Sequence, residues 1–443
     1  MGQRPRRTLL AIVGLLYAAV SLPSAAVDLV ALDGHVLPIL GNADGLAAVA
    51  KSSPAADEPV TLTVVLRRER QHAFEALLAD LEDPSSPSFR RYASPAEVSD
   101  RYGPSQDSYQ RILRYFESQG FALSEGSANR LTLTFRGTRA MAEAALGVSI
   151  VDYRIGDRSF RANANEPMLP ADLAPLVQSI IGLSDLARPR SNVVALQKAF
   201  CAVIYGLFAT TNGGAQVAAQ LMSQYFSWCN DLKWPWEPGG GGTKARVPRE
   251  SSPARAPEAT VVADRFDAAA GTPALTAGAV EKAGNDDWLS LTGAGQTIGI
   301  LSFDSFHASD VSDFFTLAGR ASLAAQVSRV AVNGGVAPGV DQSEVLLDIV
   351  SALAVAPGAQ VVVYDAPFTG GGTSFQTLLN AMINGGVTII SNSWAYCEDQ
   401  TTPADAQSID ALFAAAAARS LAHISAGSTS VLPERCPQRL GSR

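Results

Sequence analysis

Hydrophobic and polar residues follow a mixed pattern between residues 59 and 183. Thr61 to Leu66 and Leu131 to Phe135 have the two-residue period of strands. Three further stretches have helical spacing, and the last two are followed by glycine, a frequent end of helices. These helical stretches are Ala73 to Leu81, Tyr109 to Gln119 and Arg139 to Leu146. The order of strands and helices predicts an α+β domain, with helices on one face of an antiparallel sheet.

The pattern changes after residue 296, where apolar runs alternate with amphipathic helices. The predicted strands are Thr297 to Phe303, Val327 to Val332, Gln360 to Tyr364, Val387 to Ile390 and Ala422 to Ser425. The predicted helices are Asp310 to Leu317, Ser343 to Ala354, Phe375 to Ile383 and Ala404 to Arg419. This alternation is typical of a parallel sheet that is covered on both faces. Functional residues of such sheets gather at the carboxyl ends of the strands.

Residues 188–285 have no regular period and separate these two domains. The apolar stretch from Phe200 to Met222 is interrupted by Thr210, Asn212 and Gln216, so we expect no membrane span there. Glycines after Pro238 are typical of a flexible linker. We therefore predict an insert and linker at 188–285, between an N-terminal domain at 59–183 and a C-terminal domain at 286–443. The polar tail after the fifth strand predicts that this last domain is truncated.

The N-terminus has the order of a secretory signal peptide. Arg4, Arg6 and Arg7 precede an apolar run from Leu9 to Leu22, and small residues follow at 24–26. The run is shorter than the roughly 20 residues that a spanning helix needs. A retained membrane anchor is the alternative interpretation. We expect a signal peptide at 1–26 and a secreted protein, extracellular or periplasmic.

Composition and charge narrow the class of protein. A hydrophobic content of 47% with 17% charged residues is typical of a globular protein. The net charge of −8 argues against a nucleic-acid partner, which binds clustered basic residues. The four histidines are scattered, and neither HExxH nor CxxC spacing is present, so we expect no metal site.

The four cysteines suit an oxidising compartment, where disulfides persist. They are Cys201, Cys229, Cys397 and Cys436. Three pairings are possible. We favour Cys201 with Cys229 and Cys397 with Cys436, because each pair lies within one segment.

Two acidic residues share one face of a predicted helix. Glu344 and Asp348 are four positions apart, which brings like charges together at a cost of a few tenths of a kcal/mol, roughly, in an isolated helix. One interpretation is a solvated acidic face. The other is a coupled pair of carboxylates whose titrations separate.

Two polar stretches at the ends of strands are further candidates. Ser391, Asn392, Ser393 and Trp394 follow a buried-type strand, where they either bind a substrate backbone or shape the next turn. The run Gly371-Gly372-Thr373-Ser374 looks like a nucleophile motif, but a serine or threonine just before a helix is a favoured N-cap. We therefore expect capping there.

The N-terminal domain resembles the activation propeptide of the sedolisin and kumamolisin peptidases. The matches occur in the same order as in the family and are spread over residues 59–183. They include Asp83-Pro84, Ser86-Pro87, Tyr102-Gly103-Pro104-Ser105, Ser118-Gln119-Gly120-Phe121, Asn129-Arg130, Gly137-Thr138, Leu146-Gly147-Val148 and Ile181-Gly182-Leu183.

The C-terminal domain resembles the opening half of the peptidase domain of that family, which has a subtilisin-like fold. The matches are Gly295-Gln296-Thr297-Ile298, Glu344-x-x-x-Asp348, Ala356-Pro357-Gly358-Ala359 and Ser391-Asn392-Ser393-Trp394. The resemblance implies a serine that attacks a peptide carbonyl, Glu344 as the general base and Asp348 as its orienting partner. It also implies that Ser391 to Trp394 bind protein or peptide substrates. A carboxylate base is usable in acid, where a histidine base is protonated.

The chain departs from the family pattern in two places. Where the family has Ala-Gly-Asp-Ser, this sequence has Ala426-Gly427-Ser428-Thr429, so the aspartate of the oxyanion position is missing: either Ser428 replaces it or it is deleted. The nucleophilic serine and the calcium site of the family belong to a C-terminal part that these residues do not match. We therefore expect no cofactor in this chain and no activity from it. The alternative is a non-catalytic inhibitor or folding module, in which the propeptide packs on a peptidase domain.

Overall fold

The computed structural model describes most of both predicted domains. The described residues are 28–41, 46–49, 55–156, 158–191, 292–368, 373–396, 400–419 and 422–425. The predicted signal peptide, residues 192–285 of the predicted insert, and Ser428 lie outside these residues, as do Cys201, Cys229, Cys397 and Cys436.

The N-terminal domain contains the strands and helices predicted for residues 59–183, together with others. Its strands are β1 (Leu29–Ala31), β2 (Leu46–Ala48), β3 (Pro59–Leu66), β4 (Ala122–Gly126), β5 (Thr132–Thr138), β6 (Ile150–Ile155), β7 (Arg158–Asn163), β8 (Met168–Pro170), β9 (Val177–Ile181) and β10 (Arg190–Ser191). Its helices are α1 (Gln71–Glu82), α2 (Pro95–Tyr102), α3 (Gln106–Ser118) and α4 (Arg139–Leu146).

An antiparallel sheet in the order β4-β5-β3-β9 is the frame of this domain. Leu62 and Val64 of β3 alternate into a core that α3 and α4 cover. Within that core Phe116 of α3 stacks on Phe135 of β5, with 4.8 Å between ring centroids. The predicted α+β arrangement is confirmed. Smaller antiparallel pairings join β6 to β2 and β7, and β1 to β8.

The C-terminal domain has the predicted α/β alternation. Its strands are β11 (Thr297–Ser302), β12 (Val327–Ala331), β13 (Gln360–Asp365), β14 (Ile389–Asn392), β15 (Trp394–Ala395) and β16 (Ala422–Ser425). Its helices are α5 (Ala308–Leu317), α6 (Gln342–Val355), α7 (Thr373–Asn384) and α8 (Pro403–Ala417). Helix α7 begins at Thr373, two residues before the predicted start at Phe375, and the residues just before it lie outside the described ranges, so the predicted capping stays a prediction.

Five strands form a parallel sheet in the order β12-β13-β11-β14-β16. Ile300 of β11 and Val361 and Val363 of β13 are fully buried, as apolar central strands of a parallel sheet must be. One face packs on α5 and α6, and the other packs on α7 and α8. This agrees with the predicted subtilisin-like architecture.

The two domains share a buried polar interface. The second face of the antiparallel sheet meets α7, where Thr134 Oγ1 lies 3.3 Å from Thr377 Oγ1. Asn129 Nδ2 donates to Asn380 Oδ1 at 2.5 Å, and Asn380 Nδ2 donates to Thr132 Oγ1 at 2.7 Å. These polar groups are buried and satisfy one another, so the interface is specific as well as closely packed.

Leu131 is expected to be a main apolar contact of this interface. It belongs to the N-terminal domain, but it is 3% exposed within the core of the C-terminal domain. Leu131→Ala removes buried carbon and leaves a cavity, so it should lower the free energy of unfolding by about 2–5 kcal/mol. Urea denaturation measures this change. Leu123→Ala, at a position 41% exposed, is the control and should change little; equal effects of the two substitutions would contradict the assignment.

Candidate active site

A single carboxylate holds the loop that leads into α6. Asp304 follows β11, and its carboxylate accepts the backbone N–H groups of Ser305 at 2.7 Å, Gly339 at 2.6 Å and Asp341 at 2.8 Å. The loop 339–341 is therefore tied to the carboxyl end of the parallel sheet. Sequence reasoning missed Asp304, although an aspartate directly after a buried strand was a signal for it.

Glu344 and Asp348 lie one turn apart in the first half of α6, as predicted. Glu344 is 1% exposed, and its Oε2 atom and the Oδ2 atom of Asp348 are buried without a hydrogen-bond partner. Ser393, which follows β14, donates from Oγ to Asp348 Oδ1 at 2.9 Å. The structure thus favours the coupled pair over a solvated acidic face.

Burial is the main influence on the protonation of this pair. It raises the pKa of Glu344 and of Asp348 well above their ordinary values. The nearby charge of Asp348 raises the pKa of Glu344 further, and Asp341 adds a smaller increase. Hydrogen bonding to Ser393 lowers both pKa values in part. The pair therefore holds protons in this conformation, and Glu344 accepts a proton only after it has ionised.

The predicted substrate-binding residues lie beside this pair. Ser391 and Asn392 end β14 next to β11, and Asn392 Oδ1 accepts the N–H of Trp394 at 3.1 Å. Trp394 is 3% exposed, and its ring packs edge-on against Phe303, 5.7 Å between centroids. Ser393 is also buried, so its hydroxyl serves the carboxylates and does not face a substrate. The structure brings all four residues to the carboxyl end of the sheet.

The start of the predicted insert pairs with β15, whose first residue is Trp394. β10 runs antiparallel to β15, with Arg190 opposite Ala395 and Ser191 opposite Trp394. An extended segment that adds to a free strand in this way is a common mode of peptide recognition. Sequence reasoning missed this pairing because two residues are too few to show a strand period.

A second buried carboxylate shapes the chain after β15. Asp405 of α8 accepts the hydroxyl of Tyr396 at 2.7 Å and is also bonded to Thr401 and Gln376. Burial raises the pKa of Asp405. Tyr396 packs edge-on against Phe375 at 5.9 Å between centroids. This network, which sequence reasoning also missed, holds an aromatic wall next to the β15 edge.

Within the described ranges, no group of three or more His, Cys, Asp or Glu side chains is arranged to hold a metal ion. In the same ranges, no helix combines the length and the apolarity needed to cross a membrane.

Comparisons with known proteins agree with this architecture. Residues 47–186 match the family described as the pro-kumamolisin activation domain, and residues 326–440 match the subtilase family. Similar proteins include xanthomonalisin from Xanthomonas sp., 28% identical over 32% of this chain, and kumamolisin from Bacillus sp., 24% identical over 84% of it. Sedolisin from Pseudomonas sp. is 22% identical over 30% of this chain.

The chain is a sedolisin-family peptidase sequence with a propeptide. The matched stretches span 17% of xanthomonalisin, 57% of kumamolisin and 23% of sedolisin, so the chain covers less than two thirds of these relatives. In this sedolisin-family chain the propeptide is the N-terminal domain, and it packs on the peptidase domain through α7 and α8.

The carboxylate pair should make this sedolisin-family chain more stable in acid than in base. Because the folded state binds protons at Glu344 and Asp348 more tightly than the unfolded chain, their contribution is greatest below the unfolded pKa of about 4 and is lost as the pH rises through the raised values. The free energy of unfolding should therefore fall between about pH 4 and pH 8. Glu344→Gln or Asp348→Asn should make this fall smaller by about 1.4 kcal/mol or more. Urea denaturation between about pH 4 and pH 8 measures it.

Asp313→Asn, at an exposed position of α5, is the matched control and should keep the pH dependence of the parent chain. If Glu344→Gln also keeps it, the pair is not the source of the effect.

Proposed function

We propose that this chain is the precursor of a secreted, acid-acting serine-type endopeptidase in which Glu344 is the general base. Asp348 orients Glu344, and the main chain of Ser391 to Trp394 binds the substrate backbone. The observation that carries the proposal is the buried cluster of Glu344, Asp348 and Ser393 at the carboxyl end of the sheet. Strongly shifted carboxyls with a specific charged partner are characteristic of catalytic sites.

Ionisation of Glu344 is the step that the site has to control. Burial raises the pKa of this carboxyl, so the base form needs water or a hydrogen-bond donor to reach it. Ser393 already acts in that direction, because its hydroxyl lowers the pKa of both members of the pair. Once ionised, Glu344 can take the proton of an attacking hydroxyl in acid, where an imidazole base would be protonated.

Protein or peptide substrates fit the edge at β15. That edge binds an extended segment in antiparallel register, here Arg190 and Ser191. Main-chain hydrogen bonds give affinity in this mode, and side-chain pockets give specificity. The basic and apolar start of the chain at residues 1–26 supports export.

Residues 1–443 alone are proposed to be inactive. The proposed site has a general base, Glu344, and an orienting carboxyl, Asp348, but it includes no nucleophilic serine. The aspartate expected at the oxyanion position is missing around Ser428, and loss of one such donor costs about 100- to 1000-fold in rate. Without a nucleophile, binding and positioning alone remain.

A chimera tests both parts of the proposal. Residues 1–425 are joined to the part of kumamolisin that follows the matching stretch, and cleavage of a denatured protein is measured near pH 4. We expect acid proteolysis by the chimera and none by residues 1–443. Glu344→Gln in the chimera should lower kcat by about 100- to 10,000-fold, because it removes the general base.

Asp313→Asn is the control substitution and should leave the activity of the chimera unchanged. An active chimera that tolerates Glu344→Gln would contradict the role of Glu344. Acid cleavage by residues 1–443 would contradict their inactivity.

The pairing of β10 with β15 favours a second function, in which the propeptide inhibits a peptidase. Residues 28–191 should inhibit kumamolisin more strongly than residues 28–183, because only the longer fragment contains the strand that pairs with β15. Inhibition constants for the two fragments measure the difference. Equal inhibition would show that β10 does not act at the cleft, and no inhibition by either would remove this candidate.

A further inference from the structure

Arg68 of the propeptide is a buried cation that has no counter-ion among the described residues. This residue lies just after β3. Its side chain is 5% exposed, and its Nη2 atom has no hydrogen-bond partner in the described structure. The guanidinium lies over the ring of Phe74, 4.3 Å from the centroid. Burial alone lowers the pKa of Arg68 to about 10, so the group stays charged at ordinary pH. An unpaired buried charge is costly, and an aromatic face offsets only a part of that cost.

A second cation lines the same cavity from the other domain. Arg419 follows α8 of the peptidase domain, and its Nη1 atom is buried without a partner. Ser99 of α2 also lines the cavity, and its buried hydroxyl has no partner either. Three donors from two domains therefore meet at one space between the domains.

The charges around this space have one sign. Among the described residues that line it, none is an aspartate or a glutamate. Asp100, the residue next to Ser99, is exposed and pairs with Arg130 at 3.2 Å. The interface thus brings two positive groups together with no negative group between them, which opposes docking unless an anion is present.

The size of the space selects the kind of anion. The cavity volume is about 10 Å³, which is close to the space for one water molecule. A monatomic anion is the kind that matches a site for one water molecule, whereas sulfate and phosphate each have five heavy atoms. The remaining wall is neutral and includes Asn129 and Asn384.

We propose that a chloride ion binds in this cavity between Arg68 and Arg419 and holds the propeptide against the peptidase domain. Such a ligand binds the docked state and not the unfolded chain, so it stabilises the folded chain by RT ln(1 + c/Kd), where c is the chloride concentration and Kd the dissociation constant.

The test is thermal unfolding of the full chain in sodium gluconate that is replaced stepwise by sodium chloride at constant ionic strength. The parent chain should show a rise in Tm of about 2–4 °C, which follows the logarithm of the chloride concentration above the dissociation constant. Arg68→Gln should abolish the rise. In gluconate alone this variant should be at least as stable as the parent, because it removes an uncompensated buried charge. Arg114→Gln, at an exposed position of α3, is the control and should keep the full rise.

The line width of the chloride NMR signal is a second, direct measurement. The parent chain should broaden the signal, bromide should reverse the broadening by competition, and Arg419→Gln should prevent it. Equal Tm values in chloride and gluconate for the parent, or an unchanged rise in Arg68→Gln, would overturn the proposal. Competition by sulfate as effective as that by bromide would overturn the assignment to a monatomic ion.

Discussion

The fold of this chain depends on one shared surface, the face of the propeptide sheet that packs on α7 and α8. Thr132 and Thr134 present small polar groups there, and Thr377 and Asn380 of α7 meet them. Neither domain buries these groups alone, because each set finds its hydrogen-bond partners in the other. The same contact holds the end of the propeptide near the edge at β15, so the architecture of the candidate cleft follows from it.

Two sets of like charges lie on opposite faces of the parallel sheet, and each set is accommodated in a different way. The carboxyls of Glu344 and Asp348 escape repulsion by taking up protons, which is why burial raises the pKa of both. A guanidinium has no such route, because even a lowered pKa leaves Arg68 charged. The carboxyl pair can therefore stay neutral until it ionises, whereas Arg68 and Arg419 keep their charges and, in our proposal, share one anion.

Periodic elements could be predicted from the sequence, and contacts distant in sequence could not. The bounds of α4 agree with the prediction, since Thr138 caps it and Gly147 ends it with φ of 60°. Helix α2 was missed because it is short and polar, although Ser94 and Glu97 form a capping box. The spacing of Glu344 and Asp348 indicated one helix face. The hydrogen bond from Ser393 to Asp348 depends on tertiary folding, so no local sequence pattern could predict it.

The buried pair of Asn129 and Asn380 joins positions 251 residues apart. The entropy lost in closing a loop rises only with the logarithm of its length, about 0.6 kcal/mol for each doubling. A buried amide that loses its only partner costs about 1–3 kcal/mol, which is more than the cost of doubling a flexible loop. Replacement of either asparagine alone would leave the amide of the other without this partner, so the two residues act as one unit that neither domain can satisfy by itself.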